Sequence, residues 1–180
     1  MKDEPYIREL INRLARLDAT SAWHGDLNPT QRAVLSYLSR ANRFSRSPSH
    51  VAEYLGSTRG TVSQTFKSLT QKGYVTEQRS QTDKRAIRFD LSKKGLLATG
   101  EPNLMSQAIS GMDPRSRRDL TSALEALAQS MLAENGGRVF GVCSQCKHFS
   151  SQQNTNYCTL LSEQLSPIDA TKICHEQEAA

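Results

Sequence analysis

The sequence predicts a mainly α fold with one small β-hairpin, an α+β arrangement, and three observations carry that prediction. Apolar residues recur at three- and four-residue spacing through most of the first 134 positions, as amphipathic helices require. The period changes to two only around residues 74–91. All four cysteines fall in the last 38 residues, which divides the chain into a thiol-free body and a thiol-bearing tail. At 180 residues and 20.0 kDa there is enough chain for one real core with something added. No run approaches 18 apolar residues, so no membrane partner is expected. The opening MKDEPYIREL has no apolar stretch of the secretory kind, and the expected location is cytoplasmic.

The elements follow in order. From Pro5 to about Thr20, Ile7, Leu10, Ile11, Leu14 and Leu17 form one stripe of a helix. Asn28-Pro29 starts a second helix with Val34, Leu35 and Leu38 inside. Ser47-Pro48-Ser49 opens a short third helix holding Val51, Ala52 and Leu55, which stops at Gly56. A fourth begins near Thr58, turns Val62, Phe66 and Leu69 inward and ends before Gly73. Two helices joined by a Gly-containing turn, the second polar and basic outside, make a helix-turn-helix. Tyr74 and Val75, then Ile87, Phe89 and Leu91, supply the period-two positions of a hairpin that reads as a wing. Ser92 caps the next helix, and Asp113-Pro114 divides the long pattern from 103 to 133 and starts its second half, with Leu120, Leu124, Leu127 and Met131 as the stripe. Gly136-Gly137 marks the boundary between a body at 1–137 and a tail at 138–180.

Charge is as uneven as cysteine. Residues 41–100 hold 11 Lys and Arg against 4 Asp and Glu, a net of +7, whereas the whole chain carries only +5. A positive excess confined to the helix-turn-helix and wing is the electrostatic footprint of a nucleic-acid partner.

The run LNPTQRAVLSYL, then VAEYLGSTRGTVSQTFKSLTQKGYV, then DKRAIRFDLSKKG resembles the winged-helix core of the MarR family of bacterial transcription regulators. The likeness is close over about 27–97 and looser over 3–134. It implies a winged helix-turn-helix homodimer, with dimerisation helices at about 4–20 and 102–134, that reads a pseudo-palindromic operator in double-stranded DNA. On that resemblance the recognition helix presents Arg59, Gly60, Thr61, Ser63, Gln64 and Lys67. Arg59 and Gln64 have the donor geometry to read base edges. Ser57, Thr58, Thr61 and Ser63 are short hydroxyls suited to phosphates, beside the amides of the helix N-terminus. In the wing, Arg79, Lys84 and Arg85 supply charge, Asp83 shapes the turn, and Arg85 reaches the minor groove or its phosphates.

The tail spaces its thiols as C-x2-C-x11-C-x15-C: Cys143, Cys146, Cys158 and Cys174. Four thiolates can close a shell round zinc or hold the corners of an iron–sulfur cluster. Only the first two stand close in sequence, which leans toward a [4Fe–4S] cluster, with one zinc per chain as the alternative and redox or inert thiols behind both. The segment also resembles the binding region of high-potential [4Fe–4S] proteins, though both longer intervals depart from that group's spacings and Ile173 stands where it places an aromatic. Phe149, Tyr157, Leu160, Leu161 and Ile173 are expected round the centre, with His148 and His175 exposed. Following the last body helix, the tail is expected beside the dimerisation helices.

The combined reading is a DNA-binding regulator, a repressor by expectation, whose tail senses redox state or iron. The rival readings are an electron-transfer protein and an interaction adaptor built on a winged helix, with a structural zinc tail. No nucleophile elbow, phosphate loop, HExxH or paired-carboxylate motif points to an enzyme. Nothing in the residues names a small-molecule effector.

Overall fold

In the computed structural model of the protein, residues 3–21, 25–79, 87–100, 103–152 and 155–179 are described. Helix α1 spans Asp3–Ser21 and α2 spans Pro29–Arg40. The start of α2 is a full capping box: Asn28 Oδ1 accepts from the Gln31 amide at 2.9 Å, and Gln31 Oε1 accepts from the Asn28 amide at 3.1 Å. Helices α3 (Pro48–Tyr54) and α4 (Arg59–Gln71) form the helix-turn-helix, capped by Ser47 and Thr58. The turn between them passes through Gly56 at φ +58°, a left-handed conformation that side chains with a Cβ adopt at a cost.

Strands β1 (Val75–Arg79) and β2 (Ile87–Leu91) pair antiparallel, Val75 opposite Leu91 and Arg79 opposite Ile87. Helix α5 (Lys93–Thr99) packs so closely under the hairpin that a Cβ on Gly95 would lie 2.1 Å from the Tyr74 carbonyl oxygen. Only glycine fits there. Helices α6 (Leu104–Ser110) and α7 (Pro114–Glu134) complete the body, and the Asp113 side chain caps α7 ahead of its Pro.

One core serves α2 to β2. Val34, Leu35, Tyr37, Leu38, Val51, Val62, Phe66 and Leu69 are nearly or wholly buried, and the Phe66 ring stacks on Phe89 at 4.0 Å, fixing the base of the wing against the recognition helix α4. Gln31 Nε2 donates to Ser68 Oγ at 3.0 Å, so the cap of α2 also holds α4. By contrast, neither α1 nor α7 buries a single residue, and Ile7, Leu14, Leu17, Leu124 and Met131 lie on the surface. Among the described residues no helix is long and apolar enough to cross a membrane.

The tail is built of short antiparallel pieces rather than helix. Strand β3 (Gly141–Val142) pairs with β7 (Ile173–Cys174), and β4 (Phe149–Gln152), β5 (Thr155–Cys158) and β6 (Glu163–Leu165) form a three-stranded sheet, with a short helix α8 (Pro167–Ala170) between β6 and β7.

The expected seat of the tail beside the dimerisation helices is corrected by the structure. The tail lies against the α2–α3 link, residues 41–46, and against α3. Ile173 bridges to Ala41 in parallel, the Asn42 amide donates to the Ile173 carbonyl at 2.8 Å, and Phe140 sets its edge against Tyr54 and Tyr37. Apolar Phe140 and Ile173, which complete the body's core, draw the tail back across it.

Candidate nucleic-acid interface and thiol centre

Capping places the recognition helix. Thr58 Oγ1 accepts from the Thr61 amide at 3.1 Å and lies 2.8 Å from Thr61 Oγ1, so α4 starts at Arg59 with its first amides outward. The Thr58 side chain thus caps the helix that it precedes. Arg59, Gly60, Thr61, Ser63, Gln64 and Lys67 are all exposed while Val62, Thr65, Phe66 and Leu69 are buried. Ser57 is half-buried at the turn. In the wing Arg79 is exposed and ion-paired to Glu77 at 2.6 Å, while Asp83, Lys84 and Arg85 lie outside the described residues.

Four cations of the basic segment work inside the scaffold. Arg46 pairs with Asp90 at 2.6 Å and donates to the Ala41 carbonyl. Arg43 pairs with Asp169 at 2.7 Å and donates to the Gln164 carbonyl at 2.6 Å. Lys72 reaches the Asp26 carbonyl and Gln31 Oε1, and Lys94 donates to the Lys72 carbonyl and lies 4.0 Å over the Tyr74 ring. The exposed excess is therefore smaller than the sequence sum implies, and it includes Arg59, Lys67 and Arg88.

The fold gathers the thiols from the two small sheets of the tail. Pairing of β3 with β7 sets Gly141 opposite Cys174 and carries Cys143 beside it, and pairing of β4 with β5 sets Phe149 opposite Cys158. Cys143, Cys158 and Cys174 are buried in one cluster with Leu165, covered by Phe44, Phe149 and Leu161, and half-buried Cys146 stands apart, its sulfur accepting from the Glu178 amide at 3.5 Å. The thiols that act on each other are thus Cys143 and Cys174, 31 positions apart, whereas in sequence Cys143 and Cys146 stand closest. Their shared hydrogen bond pulls Cys174 down to about 6 and pushes Cys143 up.

The surroundings differ from expectation: His148 is half-buried rather than exposed, with Nε2 3.3 Å from Glu178 Oε1. Tyr157 and Leu160 are exposed, and Ile173 faces the body's core. His175 is not exposed: it stacks on His50 at 3.5 Å, and burial, reinforced by the neighbouring His175, lowers His50 to about 4. Two neutral rings therefore close that edge of the seam near neutral pH.

Residues of the body missed in the sequence complete the site. Asn42, wholly buried, donates Nδ2 to Cys143 Sγ at 3.3 Å and accepts the Phe44 amide on Oδ1 at 3.0 Å. Cys174 is lowered further by hydrogen bonds from Asn42, the Glu176 amide and Ser45. Polar donors aimed at buried sulfurs stabilise thiolate, the form that binds soft metals. This donor set fits a thiolate-bound metal group in its chemistry. Among the described residues, however, no three His, Cys, Asp or Glu side chains close on one another tightly enough to hold a single metal ion as they stand.

Asp169 anchors the seam. Burial pushes its carboxyl up, but the Ser166 hydroxyl, the Arg43 amide and the Arg43 charge outweigh that and hold it below the ordinary 3.8. A lowered carboxylate gives stability that is present above the unfolded value and lost as pH falls through the folded one. Asp169→Asn should therefore cost about 1–2 kcal/mol at pH 7, discounted because Arg43 is partly solvated. Its gap to the parent protein should close as pH drops below about 4 in urea titrations, and a gap independent of pH would refute the ion pair's role.

The MarR family model matches residues 25–86, and no curated protein matches the chain. Among solved structures, a MarR transcriptional regulator from Methanosarcina mazei Go1 is 24% identical with a TM-score of 0.58, covering 72% of this chain and 98% of its own. FabT of Streptococcus pneumoniae in complex with DNA is 21% identical with a TM-score of 0.53, covering 71% and 94%. The S. aureus MepR–DNA complex is 16% identical with a TM-score of 0.56, covering 72% and 98%. The body thus has the MarR winged-helix fold, mostly helical with a small antiparallel hairpin.

Proposed function

We propose that this chain, a winged helix of the MarR fold, is a cytoplasmic, sequence-specific DNA-binding transcriptional regulator that acts as a homodimer and holds a metal group on its tail. The observation that carries the reading is the recognition helix: Arg59, Gly60, Thr61, Ser63, Gln64 and Lys67 are exposed on one capped helix whose opposite face is core. The two DNA complexes of the same fold support it. Arg59 and Gln64 read base edges, the first amides of α4 and Ser63 meet phosphates, and the wing residues Arg79, Lys84 and Arg85 add charge beside the groove. The uncovered stripes of α1 and α7 form the seam with a second copy, which sets two recognition helices against the two halves of a pseudo-palindromic site.

The tail's group is held by Cys143, Cys146, Cys158 and Cys174. A [4Fe–4S] cluster is the reading favoured, because only Cys143 and Cys146 stand close in sequence and three of the four thiols are buried under Phe44, Phe149 and Leu161. When bound, such a cluster supplies one-electron chemistry and sensitivity to iron supply and redox state. One zinc per chain is the competing composition, and iron, sulfide and zinc analysis of anaerobically purified protein separates them.

Selection of duplexes from a random pool tests the DNA reading, and an inverted repeat is the expected product. On that duplex Arg59→Ala and Gln64→Ala should each cost about 1–3 kcal/mol in gel shifts and relax preference at one position of each half-site. Recovery of no enriched sequence, or unchanged affinity and preference in both variants, would remove the proposed role of α4.

A further inference from the structure

The link between α2 and α3 joins the helix-turn-helix to the thiols. Within residues 41–46, Ala41 and Asn42 join β7 through the backbone, Asn42 donates to Cys143, Phe44 covers the thiol cluster and Ser45 Oγ accepts the His175 amide at 2.9 Å. On its other side the same link carries the helix-turn-helix. The Ser45 carbonyl accepts the Tyr37 hydroxyl at 2.7 Å, the Arg46 carbonyl accepts the Phe89 amide of the wing, and Ser47 caps α3.

We propose that loading of the thiol centre and binding of DNA are thermodynamically linked through residues 41–46, with Asn42 as the positioning residue. The inference rests on the tail's reading as a metal centre, and it names the regulation of that centre. Asn42 links the two sides because its one side-chain amide faces both. Nδ2 is committed to sulfur while Oδ1 and the backbone fix the turn that leads into α3. A centre closed on four thiolates holds β3 and β7 together, and β7 holds Asn42 and Ala41. Bonds to a centre add to the Ala41–Ile173 bridge and the Ser45–His175 hydrogen bond across the seam, so α3 is held more firmly when the centre is loaded. The loaded state is therefore the DNA-binding state. The effect reaches the helix-turn-helix directly and does not require a change in the seam between the two copies.

Linkage is reciprocal: whatever factor loading adds to DNA affinity, DNA must add to metal affinity. The test uses the full chain, cobalt(II) as the metal probe and a duplex enriched from a random pool. DNA affinity is read by fluorescence anisotropy with and without cobalt, and cobalt affinity by its thiolate charge-transfer band with and without DNA. The expected result is a gain of about tenfold in each direction, equal within error. In Asn42→Asp, which keeps the side chain's size and its acceptor but turns the sulfur-facing donor into an acceptor, the factor should fall toward one and the charge-transfer band should move. A merely structural role would leave that band in place. If cobalt does not bind the thiols, and neither iron nor zinc accompanies the purified protein, the metal reading itself fails. If cobalt binds but DNA affinity is unchanged, the metal reading stands and the linkage is overturned. An undiminished factor in Asn42→Asp overturns the assignment to Asn42. Should that variant fail to fold by circular dichroism, the reciprocal titrations on the parent protein decide the linkage without it.

Discussion

Leu124→Glu combined with Met131→Glu is expected to give a folded monomer that no longer retains DNA. Helix α7 exposes Leu120, Leu124, Leu127 and Met131, all at 40% or more, and α1 exposes Ile7, Leu10, Leu14 and Leu17. A 21-residue helix that buries none of its residues among those described must cover its apolar stripe elsewhere or carry an aggregation-prone face. If a second copy covers the stripe, two-fold symmetry brings four new carboxylates into one seam. Each unpaired buried carboxylate costs on the order of several kcal/mol, and each 1.4 kcal/mol is about tenfold in affinity. Dimerisation should weaken by about a thousandfold or more, and DNA retention should fall with it because the two half-sites are then bound separately. Light scattering at micromolar concentration, with circular dichroism to show an intact fold, checks the result. A double variant that remains dimeric and binds DNA normally would show that the stripes of α1 and α7 serve another purpose.

Phe66→Ala should be the most costly single truncation in the body. The ring is 1% exposed and stacks on Phe89 at an interplanar angle of 14°, joining the recognition helix to the wing. Truncating a fully buried phenylalanine costs about 3–5 kcal/mol, a large share of the stability of an ordinary domain. The urea midpoint should fall accordingly with little change in slope, and the surviving folded fraction should bind DNA less well because α4 and the hairpin lose their common support. A loss below about 1 kcal/mol would mean that the core collapses into the gap or that the stack contributes little.

The helical body was legible in the sequence because its determinants are local. Asn28-Pro29, Ser47-Pro48, Thr58, Ser92 and Asp113-Pro114 mark helix starts by their own hydrogen-bonding chemistry, and the structure begins helices at each of them. The inward set Val62, Phe66 and Leu69 and the outward set from Arg59 to Lys67 follow from the helical repeat alone. The wing's strands were legible for the same reason, through the alternation of Ile87, Phe89 and Leu91.

The order of elements, the two faces of α4 and the presence of four thiols in one segment follow from local sequence. Where that segment lies, and which residues complete it, depends on packing between distant parts of the chain. The coupling of Cys143 to Cys174, the donation of Asn42 to sulfur, the capture of Asp169 by Arg43 and the stacking of His175 on His50 join positions between 31 and 126 apart. No period or spacing encodes such pairs. They arise because Phe140 and Ile173 must be buried, and the nearest apolar surface with room for them is the core behind the α2–α3 link. That burial brings an asparagine of the helical body within reach of a thiol in the tail.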